Sequence, residues 1–339
     1  MRIGAFFKID SDDNYLKFLR QYGVHDLIFG SKAGGRTAMK FPHEKGSELG
    51  SHWKTEELIA VKRRVEKFGF RLACIENPVP PWCWDKIQLG KPGRDVQIEN
   101  LAMTIKAMGD SGIPIMGYNW MVNPHGVSRM SLRNIFNVKL RGGAIGESID
   151  MQLEDDEINY RDREYTEEEM WKYYEYFVKA IVPVLEENNV KMALHPDDPP
   201  VTKLGGIPRL FGTVDSFRKA MSMAKSTNSG LNFCLGNWTA MGTDIISAIH
   251  EFGSQQLIYY GHAQGVSGTV PKFTECFLDE ADCDFFSVIR EMNKVTDQGF
   301  LIPAHFPHTA EDTPEQHHGH AFGIGYIAGL NKLVNTLGS

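Results

Sequence analysis

Four residues able to bind metals or move protons sit at the ends of four successive apolar runs. His195 closes VKMALH, Cys234 closes GLNFC, His262 closes QLIYYGH, and His305 follows GFLIPA. The gaps between them are 39, 28 and 43 residues, far longer than the spacing of a local zinc finger. Only tertiary structure can bring such residues together. If it does, imidazole and thiolate form a borderline-soft donor set suited to a divalent ion such as Zn, Mn, Co or Fe. A strand-end histidine is also a common hydrogen-bonded core residue, and a cysteine closing GLNFC can pack as a small apolar group. The pattern by itself leaves both readings open. PDDPP, straight after His195, is a stiff loop that would carry the chain away over such a site. Glu76 closes FRLACIE and Asn119 closes IPIMGYN, and both are second-rank candidates for substrate contact. Trp82 joins them, because PVPPWCWDK sets two tryptophans among prolines, as in a lid over a sugar-like ligand or a subunit contact. The three histidines of EQHHGHAF read as a solvated helix start.

These runs belong to a regular alternation. Strands are predicted at 2–7, 25–29, 70–76, 113–119, 190–195, 230–234, 256–262 and 299–304. Helices are predicted at 14–23, 54–69, about 93–110, from Thr166 onward, near 214–226, 241–252 and 284–297, and in a last segment to about 335. Acids follow Thr166 in TEEEMW, as the helix macrodipole favours. Strands alternating with helices imply a parallel sheet. Eight repeats favour a closed (β/α)8, or TIM, barrel occupying residues 1–339 as a single domain. The competitor is a doubly wound open sheet, but no GxGxxG lies between the first strand and helix to mark a dinucleotide site. In a barrel the C-terminal strand ends share one rim, where active sites sit. The long stretch 120–165, after the fourth strand, reads as an irregular, lid-like insertion.

Composition narrows the function. A chain of 339 residues that is 42% hydrophobic can bury a large core. Its net charge of −7 argues against a broad nucleic-acid surface. It has no transmembrane run of roughly 18 apolar residues, and MRIGAFFKIDSDD turns acidic too early for a signal peptide. Five scattered cysteines, an odd number, suit reduced thiols in a cytoplasmic protein.

Several of these motifs, in order along nearly the whole chain, resemble the mannonate dehydratase family. They are IENPVPPWCWDKIQLGKPGRDVQIENLAMTIKAMGDSGIPIMGYNW, KMALHPDDPP, GIPRLFGTVDSF, GLNFCLGNW, GTVPKFTECFLDE and GFLIPAHFPHTAEDTP. The resemblance implies a (β/α)8 barrel of the xylose-isomerase-like group. It also implies a divalent ion, Mn²⁺ first and Zn²⁺, Co²⁺ or Fe²⁺ after it, that serves dehydration of D-mannonate to 2-keto-3-deoxy-D-gluconate. Carried over motif by motif, it makes His195, Cys234 and His262 metal ligands and His305 the catalytic histidine.

The chain departs from the family pattern at the site itself. Where the resemblance expects a ligating aspartate before His305, the sequence has Ala304, whose methyl cannot ligate. Where it expects arginine two residues after His262, there is Gln264, a neutral candidate for substrate contact. Where it expects a tyrosine near the C-terminus there is Phe322, which neither donates nor accepts a proton. The expectation is therefore a metal-dependent hydro-lyase that dehydrates a sugar acid or related polyol through an enediolate, inefficient on D-mannonate itself. The alternatives are a sugar isomerase or epimerase of the same barrel group, and a non-catalytic sugar-acid-binding paralogue. Expected partners are a small sugar acid or sugar and further copies of the chain, with no nucleic acid and no membrane.

Overall fold

A computed structural model describes residues 1–30, 52–79, 83–122, 135–153, 162–296, 299–313 and 316–337. Eight parallel strands close into a barrel: β1 (Arg2–Phe7), β2 (Asp26–Gly30), β3 (Arg71–Glu76), β4 (Ile115–Asn119), β7 (Lys191–His195), β10 (Ser229–Cys234), β11 (Ile258–Ala263) and β14 (Phe300–Pro303). Round the barrel the order is β1-β14-β11-β10-β7-β4-β3-β2, and the pairs Arg2↔Phe300 and Ile3↔Leu301 complete the ring. Each of these strands matches an apolar run predicted from sequence. Parallel strands are covered on both faces, so they read as near-continuous hydrophobic stretches.

Two apolar layers hold the ring. The smaller includes Phe6, Ile28, Cys74, Ile115, Ala193, Tyr260, Phe300 and Ile302. These come from seven of the eight barrel strands, so they fill the barrel interior. Tyr260 and Phe300 stack there at 5.3 Å. The larger layer seals the strands to the surrounding helices through residues such as Leu58, Leu101, Phe177, Phe217, Phe252 and Ile289. The helix Glu167–Glu187 starts as its sequence suggests: Thr166 accepts from the Glu169 N–H, and the Glu169 side chain returns a bond to the Thr166 N–H.

The stretch 120–165 differs from its sequence reading. Residues 123–134 and 154–161 of it lie outside the described residues. Much of the remainder is regular: β5 (Ile135–Lys139) and β6 (Ile145–Asp150) form an antiparallel hairpin. It pairs with a second hairpin, β12 (Gly265–Thr269) and β13 (Lys272–Cys276), in a four-stranded sheet of order β12-β13-β6-β5. β12 begins two residues past the end of β11, so this sheet grows from the C-terminal side of the barrel. Mutual backbone bonds between Ile145 and His308 tie it to the segment after β14. Two short strands, β8 (Lys203–Leu204) and β9 (Ile207–Pro208), complete the set.

The helix start at EQHHGHAF also differs. Two of its three histidines are withdrawn from solvent. His317 is half-buried, its ring packed against both Phe18 at 4.6 Å and Tyr15 at 5.6 Å, and His320 is buried against Phe306 and Tyr15. Only His318 stays largely exposed. The cause is the helix Asp13–Gln21, which presents Tyr15 and Phe18 on one face, three residues apart.

At the opposite end from the strand C-termini, Asp26 clips three strands together. It is 1% exposed and receives Arg2 Nε at 2.7 Å and Arg71 Nε at 2.6 Å, one on each carboxylate oxygen. Asp26→Asn keeps the shape but turns an amide donor toward a guanidinium. Both arginines are a third or more exposed, which moderates the loss to about 1–3 kcal/mol. Thermal unfolding should show a Tm lower by roughly 1–4 °C.

Candidate metal centre

β7, β10 and β11 are consecutive in the barrel; β7 and β10 end in the candidate residue, and β11 runs one residue past it, to Ala263. In register Asn119 faces His195, Cys234 faces His262, and His262 faces Ile302. The result is one cluster. His195, Cys234 and His262 each offer a ligand atom, and these atoms lie within 4.8 Å of one another. The imidazole centroids of His195 and His262 are 5.2 Å apart.

Each member is held from behind. His195 Nδ1 lies 2.7 Å from the Pro196 carbonyl, so Nδ1 carries the hydrogen and Nε2 keeps its lone pair. Burial, with His262 beside it, pushes His195 down to about 4 and keeps it neutral near pH 7. The PDDPP loop is buried rather than swung into solvent. Asp197 accepts the Phe211 N–H at 2.7 Å and faces Arg209 at 3.7 Å. The Asn237 amide donates to Cys234 Sγ at 3.3 Å, and Sγ lies 3.2 Å from Gln264 Oε1. Burial pushes the Cys234 thiol up to about 12 despite the Asn237 donors.

Glu76 stands beside the cluster. Its Oε2 lies 3.2 Å from His262 Nε2, accepts the Tyr260 hydroxyl at 2.8 Å, and accepts the Asn232 amide at 3.3 Å. Burial raises the Glu76 carboxyl, but His262, then His195 and the Tyr260 hydroxyl, outweigh it, so the group ends below its usual range. Asn232 Nδ2 also reaches His262 Nε2 at 3.2 Å. Asn119 sits next to His195, and its amide binds Asn77 Oδ1 and the Met121 N–H, holding two strand ends together. Gln264 is fully buried between Cys234 and Glu275. His305 occupies the rim after β14 with φ +53°. Beside it lies a small pocket lined by Cys276, Phe277, Ala304, Phe306 and Phe322, apolar where the resemblance expects aspartate and tyrosine. Trp82 lies outside the described residues. Its neighbour Trp84 is buried against Tyr118, Trp120 and Phe177.

Sequence reasoning missed Asn232, Tyr260 and Glu275. A signal existed for the first two. Side chains two apart on a strand share a face, so Asn232 and Tyr260 accompany Cys234 and His262. Glu275 carried none, since it reaches His305 from a separate sheet.

The donor set fits a divalent cation. It combines two imidazoles, one with a free Nε2, and a thiol already receiving an N–H donor, as a thiolate requires. The buried Asn232 Oδ1 has no hydrogen-bond partner among the described residues, which suits a site completed by a ligand. A cation here must displace the Cys234 proton.

Fold and site together define a (β/α)8 barrel with a candidate metal centre on its C-terminal rim. Within that class the chain belongs to the D-mannonate dehydratase (UxuA) family, whose family model matches residues 10–134 and 132–337. It is 29% identical over 318 residues to mannonate dehydratase 2 of Halalkalibacterium halodurans, across 85% of this chain and 90% of that one. It is 30% identical over 285 residues to mannonate dehydratase of Streptococcus equi subsp. zooepidemicus, across 76% of each. The crystal structure of mannonate dehydratase from Streptococcus suis serotype 2 superposes with a TM-score of 0.84 at 24% identity, covering 100% of this chain and 94% of that one. L-ribulose 3-epimerase shares the fold, with a TM-score of 0.58 at 13% identity over 99% and 96% of the two chains. No helix among the described residues is long and apolar enough to cross a membrane.

Gly117 gives the geometry a test. A methyl there would press on the Tyr260 hydroxyl and come within 2.9 Å of Glu76 Cγ. Gly117→Ala should displace the Tyr260–Glu76 pair, cost about 1–3 kcal/mol, and weaken divalent-ion uptake. Urea unfolding and calorimetric titration with Mn²⁺ measure the two effects.

Proposed function

We propose that this protein is a metal-dependent hydro-lyase that removes water from a sugar acid or related polyol, and that D-mannonate is a poor substrate. One observation carries the reading. In a member of the mannonate dehydratase family, His195, Cys234 and His262 converge at the C-terminal rim with ligand atoms within 4.8 Å. These three would hold the ion, Mn²⁺ in first place with Zn²⁺, Co²⁺ and Fe²⁺ as alternatives. A bound divalent ion supplies Lewis acidity toward substrate oxygens.

The remaining work falls to side chains. Dehydration needs a proton taken from one carbon and a proton given to the hydroxyl leaving the next. His305, 30% exposed at the rim, is the group proposed to carry it. Glu76, held by Tyr260 and Asn232, keeps a negative charge beside His262 and orients that ring. Asn119, Gln264 and Trp82 are proposed substrate contacts. The sheet β12-β13-β6-β5 is proposed to cover the mouth of a single-domain barrel and exclude water. A cytoplasmic homo-oligomer is proposed with it.

Two outcomes test this reading. The purified protein should carry about one divalent ion per chain, and Cys234→Ala should lose most of it, since thiolate is the strongest donor of the three. Full retention by Cys234→Ala in elemental analysis would reject the site. Turnover of D-mannonate should also be slow. Lacking a charge-assisted arginine contact costs about 1.5–3 kcal/mol, and lacking a proton-transfer group roughly 10²–10⁴ in rate. An assay for 2-keto-3-deoxygluconate with Mn²⁺, Co²⁺, Zn²⁺ and Mg²⁺ in turn should find kcat far below the roughly 10 s⁻¹ typical of enzymes. Turnover of several per second would mean that Ala304, Gln264 and Phe322 cost little.

A further inference from the structure

Glu275 lies on β13, outside the barrel wall, and is 4% exposed. Its Oε1 is 2.8 Å from His305 Nδ1 and 2.9 Å from Gln264 Nε2, while those two nitrogens are 3.1 Å apart. Chemistry fixes the hydrogens of this triangle. An amide nitrogen only donates and a carboxylate only accepts. Were Nδ1 the lone-pair nitrogen of His305, lone pair would meet lone pair at 2.8 Å. Nδ1 therefore carries a hydrogen and donates to Glu275, alongside Gln264. Flipping the Gln264 amide does not remove the constraint, because its Oε1 would then face the carboxylate and its donor would leave Glu275. The present orientation also turns Oε1 toward the Cys234 thiol at 3.2 Å.

The backbone points the same way. His305 sits at φ +53°, a left-handed conformation that a non-glycine residue holds only when its surroundings impose it. The Ala304 N–H to Ala263 carbonyl bond fixes the chain just before it. Glu275 receives the ring just after.

We propose that Glu275 is a positioning residue: it locks His305 in the Nδ1–H tautomer and leaves Nε2 as the atom that accepts or returns the proton. A free imidazole side chain favours the opposite tautomer, so the lock has a signature. The inference rests on reading His305 as the proton-transfer group, and its test needs no substrate.

The test is ¹⁵N NMR of histidine-labelled full-length protein with diamagnetic Zn²⁺ present. His305 is assigned by difference from His305→Asn, and two-bond ¹H–¹⁵N correlations are read at the high-pH limit of its titration. The wild type should show a protonated Nδ1 and an unprotonated Nε2. Glu275→Gln can turn an amide donor toward Nδ1 and should reverse the pattern, whereas Glu275→Asp, which keeps an acceptor, should retain at least part of the Nδ1–H population. Thermal unfolding of each variant separates this from misfolding. If Glu275→Gln fails to fold, the wild-type and Glu275→Asp spectra still decide. An Nε2–H ring in the wild type, or an unchanged pattern in folded Glu275→Gln, overturns the proposal. Because the spectra are recorded without substrate, absence of dehydratase activity would overturn the functional reading and leave this tautomer assignment standing.

Discussion

Closing eight parallel strands into a ring forces every strand to finish on the same rim. The pairing of β1 with β14 makes that closure, and the candidate chemistry depends on it. Neighbouring strands in a sheet lie about 4.7–4.9 Å apart. Residues at the same height on adjacent strands are therefore within reach of a shared ion, whatever their separation in sequence. Cys234 and His262 are register partners, and β7 sets His195 on the other side of β10. No local motif is needed, and none exists.

The second constraint is that such a rim is buried, and buried polar groups must find partners. Most of what surrounds the cluster answers that demand. Tyr260 and Asn232 serve Glu76, Asn237 serves Cys234, the Pro196 carbonyl serves His195, and Gln264 and His305 converge on Glu275. These bonds also fix which atom of each side chain faces the cavity. Rigidity and hydrogen-bond satisfaction are thus one property here, and the supporting residues lie on the barrel strands or within three residues of a strand end, apart from Glu275.

That difference explains what could be read in the sequence. The barrel strands were legible because their cores, such as LACI and MAL, are apolar on both faces, and His195, Cys234, His262 and His305 stood out as polar stops to such runs. β5 and β6 were not legible. In IFNVK the burial alternates, and only Ile135 is fully buried, so a strand half in water passed for an irregular insertion. Glu275 was hidden for the same reason, on a hairpin strand whose barrel partner, His305, lies 30 residues away. His317 and His320 looked solvated because their burial depends on Tyr15 and Phe18 in a helix some 300 residues earlier. Local propensity cannot report a packing partner that distant.

Charge makes the departures from the family pattern coherent. Ala304 offers no carboxylate, so the proposed ligands give a divalent ion one negative charge, from the Cys234 thiolate. Glu76 adds a second beside the same cluster, held below its usual pKa range by His262. On this reading the cation is neutralised without a fourth charged ligand, and its attraction to a substrate anion is not increased. The wall near His305 meanwhile loses polarity, since Ala304 and Phe322 line it with Phe277 and Phe306, and Gln264 brings no positive charge to it. Under the proposed function, the substrate would meet at His305 a wall that offers little beyond one proton-transfer partner, in line with an acid or polyol carrying fewer polar groups at that end.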